Sequence, residues 1–353
     1  LLPQRLREDV LWSESFEDLI PVGGRFLLLR KTARMEDHMV VDVKTRHHWP
    51  LVLMDSPYAR TKLLAHVTVS DSPSLLLRVV APTGERLLWI DRLEEDAQVE
   101  DVTQLIPKHP TVMAWDPSSR RHLFVLQDTT LVRVDLVKKA IYPTFLEGVR
   151  GYGIFDRMLY ALMIDGTLLR MDLDGKEMER LLDTAVPIRS LFGLQGAFRI
   201  MVGGKVAILF LGERGELLAG RLPYRFVDRD VVGVDWLPHR VLLWTSEQVG
   251  VLEFPTAPSG EEVIESLPEL QWVLKRRVNL EQGFWVFHGS HAVCRDDTQV
   301  FLLELDPHGT TQLVPLIQVK KHSSVMYSEE TGALYYLDRS SGALRSIQLL
   351  PAR

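Results

Sequence analysis

The sequence predicts an all-β repeat protein, and three observations indicate this fold class. Residues 151–183 consist of four short runs of strand length, and the central two are joined at Asp165-Gly166, where glycine accepts a positive φ without steric cost. The same outline of strand, turn, apolar strand and turn recurs along the chain. Helical patterns do not alternate with these strands, which disfavours a parallel α/β sheet. Because a lone four-stranded meander cannot bury both faces, each unit needs neighbours of its own kind.

Eight such units can be counted along the 353 residues. Their apolar second strands begin at residues 26, 75, 123, 159, 206, 241, 292 and 334, a spacing typical of the ~40–50-residue period of β-propeller blades. We therefore expect residues 1–353 to form a single closed β-propeller domain of four-stranded antiparallel blades. The blades are expected at approximately residues 18–54, 62–106, 111–146, 151–183, 198–228, 231–278, 284–316 and 324–350. Eight blades are preferred, and seven are possible if the second or fifth unit is misread.

The two ends of the chain predict how the ring closes. The eighth unit lacks a fourth strand, whereas residues 6–13, with the apolar triplet Val10-Leu11-Trp12, belong to no unit. We expect this N-terminal segment to supply the missing outer strand of the last blade, which leaves no unpaired seam.

One segment departs from the repeat outline. Residues 256–282 are longer than any other connection, and Ser259, Glu261 and Glu262 could begin a short helix that Pro268 ends. We expect a loop or short helix here, followed by a fourth strand at residues 270–278.

Two stretches resemble known propeller blades. The sequence LYAL at residues 159–162, followed by DGTLLRMDLDG at residues 165–175, resembles a blade of TolB-like or YWTD-type propellers. The sequence LYYLD at residues 334–338, with GALR at residues 342–345, is similar. The opening Leu1-Leu2-Pro3 and the first blade also resemble bacterial envelope proteins in which a propeller follows a membrane anchor and a PEGA domain. None of these resemblances transfers a catalytic residue, because no matching motif occurs.

Composition restricts the function classes. The formal net charge is −6, which gives no electrostatic case for a nucleic-acid partner. No apolar run reaches the ~18 residues that would span a bilayer. The chain begins without Met, so we expect a mature or truncated product from which an upstream anchor could be missing. The single cysteine, Cys294, lies in a strand-like context and is expected to be a buried, inert thiol.

Motifs for catalysis are absent, and the candidate sites have structural interpretations. Gly203-Gly204-Lys205 lacks the flanking residues of a phosphate-binding loop and is read as a hairpin turn. His47-His48 point to opposite faces of a strand. His288 and His291 could face one another, but no third metal ligand is evident beyond Asp296 or Asp297. We therefore expect no metal, cofactor or catalytic residue.

The charged clusters and tryptophans are likewise expected to be structural. The acidic cluster at residues 94–101 lacks the spacing of a calcium loop and is read as a solvated connection. Arg120-Arg121 and Lys275-Arg276-Arg277 are read as solubilising surface. The tryptophans expected on strands and in the core are Trp49, Trp89, Trp115, Trp236, Trp244 and Trp285.

These observations predict a non-enzymatic protein-interaction or scaffold module, part of a larger bacterial envelope-associated protein or assembly, with other proteins as partners. The alternative is a small-ligand-binding or enzymatic propeller that uses the central channel.

Overall fold

The structure of the chain is a computed structural model. It describes residues 6–31, 37–53, 60–182, 198–203, 207–212, 215–220, 225–228, 230–237, 240–254, 269–275, 279–305 and 312–350. The chain divides into two compact units. Unit 1 comprises Leu1–Thr103 and Val286–Arg353, and unit 2 comprises Gln104–Trp285. The single-domain organisation expected from the repeat remains a prediction.

The described residues form strands connected by turns, and the one helical element among them is a 3-10 turn at Phe287–Gly289. The first part of unit 1 holds β1 (Glu8–Val22), β2 (Phe26–Lys31), β3 (Asp37–Asp42), β4 (His48–Val52), β5 (Arg60–Val69), β6 (Ser72–Ala81), β7 (Gly84–Ile90) and β8 (Val99–Asp101).

Unit 2 holds the next sixteen strands. They are β9 (Val112–Trp115), β10 (His122–Gln127), β11 (Thr130–Asp135), β12 (Ala140–Glu147), β13 (Val149–Phe155), β14 (Met158–Met163), β15 (Leu168–Asp172), β16 (Glu179–Leu182), β17 (Phe198–Gly203), β18 (Ala207–Gly212), β19 (Leu217–Gly220), β20 (Arg225–Asp228), β21 (Val231–Leu237), β22 (Arg240–Thr245), β23 (Gln248–Glu253) and β24 (Glu269–Lys275).

The chain then returns to unit 1 within β25. The remaining strands are β25 (Gln282–Val286), β26 (His291–Arg295), β27 (Gln299–Glu304), β28 (Gln312–Gln318), β29 (Met326–Ser328), β30 (Ala333–Leu337) and β31 (Ala343–Gln348). The fourth strand expected at residues 270–278 is therefore present as β24, which pairs with β23. The loop or short helix expected before it falls on residues 255–268, outside the described part of the chain.

The described strands form six sheets, so the predicted count of eight blades, with seven as the alternative, is wrong. Four sheets are separate four-stranded blades: β5–β8, β9–β12, β21–β24 and β25–β28. The other two are larger. One is seven-stranded in the order β29-β30-β31-β1-β2-β3-β4, and the other is eight-stranded in the order β16-β15-β14-β13-β17-β18-β19-β20. Two local features explain why these strands do not form separate blades.

The seven-stranded sheet exists because β1 is one continuous strand. Glu8–Ser15 pair with β31, and Phe16–Val22 pair with β2. The expected pairing of the N-terminal segment with the last unit is therefore observed. The break expected between residues 13 and 18 is absent, since register shifts at Val10/Trp12, Trp12/Ser15 and Phe16/Asp18 allow the strand to change partners without a turn.

The eight-stranded sheet in unit 2 depends on a glycine. Parallel pairing of Gly151 with Phe198 and of Tyr152 with Arg199 joins β13 to β17. A Cβ added at Gly153 would lie 1.8 Å from the carbonyl oxygen of Ile200. Only glycine permits this backbone approach, so Gly153 links two meanders into one sheet.

The cores lie where sheet faces pack together, and β2 in unit 1 contributes to two of them. Leu27 and Leu29 belong to a core with Phe16, Met39 and Tyr335, called here the first core. Leu28 belongs to a different core, the second core, with Val40, Leu77 and Val79. Successive side chains of a strand point to opposite faces, so one strand serves both cores.

Unit 2 follows the same principle. The core around Tyr152 joins residues of β9–β12 with residues of β13–β15. Tyr152 has no exposed surface, and its hydroxyl donates a 2.6 Å hydrogen bond to the carbonyl oxygen of Phe124. A buried phenol with a satisfied hydroxyl holds neighbouring sheets in one arrangement.

Candidate functional site

The residues considered in the sequence as sites have structural surroundings. His48 packs edge-on against Trp12, with ring centroids 5.1 Å apart. The His47 ring contacts the carboxylate of Glu95, a member of the acidic cluster. His291 Nδ1 lies 2.8 Å from the Ser290 hydroxyl. These pairings occupy the histidines with neighbours on the same unit.

Of the basic motifs and the Gly203-Gly204-Lys205 motif, one contains a residue with a described partner, and the others lie partly outside the described residues. Arg121 forms an ion pair of 2.6 Å with the buried Asp135, so it has a structural partner. Gly204 and Lys205, and likewise Arg276 and Arg277, lie outside the described residues, so the readings of those motifs stay predictions.

The predicted core residues are buried. Cys294 is 1% exposed, and burial raises the pKa of its thiol to about 12, so the reactive thiolate is disfavoured. Five of the six tryptophans are less than a tenth exposed, and Trp236 is half-buried against the core around Val241. The expectation of a buried thiol is confirmed, and core packing is confirmed for five of the six tryptophans.

Two of the cavities in unit 1, each of about 650 Å³, are the candidate sites. We name the first the tryptophan cleft. It is lined by Asp9, Leu11, Trp12, Val41, Val43, Lys44, Arg46, Glu329, Glu330, Thr331, Ala333, Tyr335, Ser346 and Gln348. We name the second the basic cavity. It is lined by Glu17, Asp18, Arg30, Arg60, Thr61, Lys62, Arg78, Val80, Lys320, Lys321 and His322.

The tryptophan cleft opens at an end of the first core. Its apolar lining residues Val41, Val43, Ala333 and Tyr335 are members of that core, and Trp12 packs against it while half-buried. The register shifts on both sides of Trp12 take it out of a regular ladder. The cleft therefore presents an aromatic side chain beside a well-packed apolar floor.

Polar groups surround this floor. Lys44 and Glu330 form an ion pair of 3.2 Å, and the Tyr335 hydroxyl donates a 3.0 Å hydrogen bond to Thr331. Burial raises the pKa of Tyr335, so its hydroxyl stays a donor at neutral pH. Arg46 has no ion pair among the residues that the structure describes. The rim thus offers both signs of charge around an apolar centre.

The basic cavity lies at an end of the second core. Thr61 is the direct partner of Val79 on the neighbouring strand, and Val79 packs in that core together with Leu28. Arg30 follows Leu28 by two residues and so lies on the same face of β2. Thr61 and Arg30 therefore continue the two facing surfaces of the second core to the point where charged residues replace apolar ones.

Cations outnumber carboxylates in this cavity. The lining holds Arg30, Arg60, Lys62, Arg78, Lys320 and Lys321 against Glu17 and Asp18, a formal charge of +4. Lys321 also forms an ion pair of 3.2 Å with Asp297, which does not line the cavity. Asp18 is the direct cross-strand partner of Arg30, and Glu17 lies 3.6 Å from the ammonium of Lys320. Burial raises the pKa of Asp18, although Arg30 and Lys320 oppose that rise. Unlike the cleft, this cavity has one dominant sign of charge.

Sequence reasoning did not find either cavity. Trp12 was read only as part of a pairing strand, and its position at a change of sheet is visible only in three dimensions. The basic cavity draws its cations from four separate segments, and the sequence signal was limited to the alternation Arg60-Thr61-Lys62 and the run Lys320-Lys321-His322.

Comparison with known proteins supplies a fold. No known family model matches the chain, and no curated protein sequence matches it. The solved structure of BamB from Moraxella catarrhalis is similar over 99% of this chain and 100% of that chain, with 12% identity and a TM-score of 0.51. Hsv2 from Kluyveromyces lactis is similar over 87% of this chain and 99% of that chain, with 9% identity and a TM-score of 0.52.

A third similar structure is PorZ, an essential bacterial surface component of the type-IX secretion system of Porphyromonas gingivalis. The match covers 93% of this chain but 42% of that chain, with 13% identity and a TM-score of 0.43. The chain thus spans less than half of that protein's length. Within the described part of the chain, no helix is long and apolar enough to cross a membrane. Such distant likeness concerns the fold alone, and that fold is a β-propeller.

Proposed function

We propose that the chain is a non-enzymatic protein-interaction or scaffold module that binds a peptide segment of a partner protein in the tryptophan cleft. The observation that carries this proposal is the presence of Trp12, Tyr335 and Arg46 in one cleft. Trp, Tyr and Arg are the residue types most enriched at the energetic centres of protein interfaces. Here they surround a floor that is already packed as a core, so a partner side chain would be desolvated on binding.

The sheet edges favour a cleft over strand addition. Pro50 lies within β4, and Pro315 lies within β28; both strands are the last in their sheets. Proline has no N–H to offer a new strand, and prolines on edge strands block edge-to-edge pairing. Register shifts in the pairing of β28, β24 and β12 further distort outer strands. Side-chain recognition in a cavity is therefore the better-supported mode of binding.

The charges at the rim suggest how a partner would be oriented. Asp9, Glu329 and Glu330 provide negative charge, and Lys44 and Arg46 provide positive charge. A polar rim around an apolar centre is the usual anatomy of a protein interface. We expect the partner segment to insert an apolar or aromatic side chain and to present both acidic and basic neighbours.

We also propose that this module belongs to a larger envelope-associated protein or assembly. The support is the resemblance of the opening residues and first blade to envelope propellers. Fractionation of cells that express the full open reading frame, followed by immunoblotting, tests this part. Recovery in the envelope fraction is expected, and recovery only in the cytosolic fraction would contradict it.

The binding proposal is tested by site-specific cross-linking. A photoreactive amino acid replaces the exposed Glu329 at the cleft, cross-linked peptides are identified by mass spectrometry, and the mapped segment is synthesised. Its affinity is then measured by calorimetry for wild type, Trp12→Ala, Arg46→Ala and the control Tyr142→Ala. Tyr142 is an exposed aromatic residue of unit 2, outside the cleft.

We expect Trp12→Ala to weaken binding at least ~10-fold, because truncation of a hot-spot residue costs ~2 kcal/mol or more. Arg46→Ala should also weaken binding, and Tyr142→Ala should not. Equal affinity of all four proteins for the mapped segment would overturn the proposal. Binding of a metabolite rather than a peptide in this cleft would favour the small-ligand alternative.

A second candidate function, binding of a small anionic ligand, is favoured by the charge of the basic cavity. The corresponding prediction of a ligand site in a central channel remains untested.

A further inference from the structure

We propose that the basic cavity is a binding site for phosphate groups, and that it takes a small organic phosphate or pyrophosphate. This site is separate from the tryptophan cleft and does not depend on the function proposed for the cleft. Two observations support it: a juxtaposition of like charges and a shortage of carboxylates that could neutralise them.

The first observation is the pairing of two cations across neighbouring strands. Lys62 on β5 is the direct cross-strand partner of Arg78 on β6. Arg60 lies two residues before Lys62 and therefore on the same face of β5. Like charges placed directly opposite each other destabilise a sheet. An anion held between them would convert this repulsion into attraction.

The second observation is that protein carboxylates do not neutralise these cations. Within the described residues, Arg60 and Lys62 have no ion pair. Arg78 lies 3.8 Å from Glu85, and both side chains are well exposed, an arrangement that contributes little. The two carboxylates that line the cavity face Arg30 and Lys320 instead. The β5–β6 cations are thus the available charges.

Thr61 lies between Arg60 and Lys62 in sequence but on the opposite face of β5, because successive side chains of a strand alternate. It is 9% exposed and faces the second core with its cross-strand partner Val79. A substitution of Thr61 therefore changes β5 without changing the face that carries the cations, which makes it a matched control.

These features select the ligand class. Guanidinium groups bind phosphate oxygens in a bidentate manner, and lysine adds a point charge. A lining with an excess of four positive charges suits a group that carries two or more negative charges. A volume of about 650 Å³ exceeds that of one inorganic phosphate and lies within the range of small-molecule sites. A phosphorylated small molecule is therefore the better fit than a single carboxylate.

The test is calorimetry and thermal unfolding of the full chain with pyrophosphate, inorganic phosphate, sulfate and citrate. The variants are Lys62→Gln and Arg78→Gln. The controls are Thr61→Val, on the opposite face of β5, and Lys44→Gln, which makes the same charge change in the tryptophan cleft. Lys62→Gln should unfold at the same or higher temperature without ligand, because it removes the like-charge pair. That readout separates loss of binding from loss of folding.

We expect pyrophosphate to bind most tightly and to raise the unfolding temperature of wild type and Lys44→Gln. Lys62→Gln and Arg78→Gln should weaken pyrophosphate binding ~10-fold or more, and Thr61→Val should leave it unchanged. A phosphoserine peptide that binds more tightly than pyrophosphate would support the same phosphate chemistry presented on a partner. Tighter binding of citrate, or an equal response of all variants, would overturn the proposal, as would no binding of any probe.

Discussion

The tryptophan cleft and the basic cavity of unit 1 differ in chemistry but arise in the same way. Each lies at the end of a core. The first core lies within the seven-stranded sheet, and the second lies between that sheet and the β5–β8 sheet. Strand β2 divides them, with Leu27 on one side and Leu28 on the other. At the end of the first core the chain places Trp12 and Tyr335; at the end of the second it places Arg30 and Thr61. The backbone therefore determines where a cavity forms, and the last residues of each strand determine what it can bind.

The largest effect is expected when one buried leucine is truncated in each core separately. Leu27→Ala and Leu28→Ala remove fully buried leucines, and each should lower the free energy of unfolding by about 2–5 kcal/mol. Leu27→Ala should reduce binding at the tryptophan cleft while the pyrophosphate response survives, and Leu28→Ala should do the reverse. Urea denaturation and the two binding assays measure this. If each variant lost both activities, the two cores would not be independent.

Lowering the pH is expected to destabilise the protein first on the side of the second core. His38 is 1% exposed, and burial, reinforced by the neighbouring charge of Arg30, lowers its pKa to about 3. The unfolded chain takes up this proton near pH 6.5 and the folded chain does not, so stability is lost as pH falls from about 6.5 towards 3. A tenfold change in proton affinity corresponds to ~1.4 kcal/mol, so the full loss attributable to His38 is on the order of 5 kcal/mol.

This prediction is checked by urea denaturation of wild type and His38→Gln at pH 7, 5 and 4. The variant should be less stable at pH 7 but should lose less stability on acidification. Parallel pH curves for the two proteins would show that His38 does not carry the effect.

The tryptophan cleft depends instead on the attachment of β1. Glu8 accepts hydrogen bonds from the Tyr336 hydroxyl at 2.5 Å and from Arg345 at 2.8 Å, and these bonds, that from Tyr336 first, lower its pKa. Glu8→Gln should cost about 1 kcal/mol at neutral pH. The difference from wild type should vanish as pH falls through the folded-state pKa of Glu8, because wild type then loses the same charge. Amide hydrogen exchange should show faster exchange in β1 of the variant. Unchanged exchange there would mean that Glu8 does not hold the strand.

The smallest effect is expected at Asp18. Because burial raises its pKa in the folded protein, the folded state holds the proton more tightly than the unfolded state, and stability decreases as pH rises through that window. Asp18→Asn should therefore raise stability at neutral pH by less than ~1 kcal/mol and should tighten pyrophosphate binding by removing a negative charge. Reduced stability of the variant in thermal unfolding would show that Arg30 and Lys320 outweigh the burial of Asp18.

Much of this fold could be predicted from sequence, because it depends on local patterns. Alternation and turn residues located the strands, including β24 after the long connection and the pairing of the N-terminal segment with β31. The blade count failed where pairing depends on tertiary contact. Nothing in the sequence of β1 shows that it continues through a change of partner, and the role of Gly153 depends on the distant backbone of Ile200.

The sites were less predictable for a related reason. Trp12 has an ordinary strand context in the sequence. Its position in the cleft depends on the register shifts beside it and on Tyr335, which is more than 300 residues away in sequence. The basic cavity likewise depends on cross-strand register, which sets Lys62 against Arg78. The register of strand pairing determines where these cavities form at the ends of the cores, and no local sequence motif marks them.

The most direct test of the account is to measure, side by side, the affinity of the cross-linked partner segment for Trp12→Ala and for Lys62→Gln. The account predicts that Trp12→Ala loses at least ~10-fold in affinity while Lys62→Gln binds as wild type does. Equal binding by both variants, or a loss confined to Lys62→Gln, would contradict the assignment of partner recognition to the tryptophan cleft.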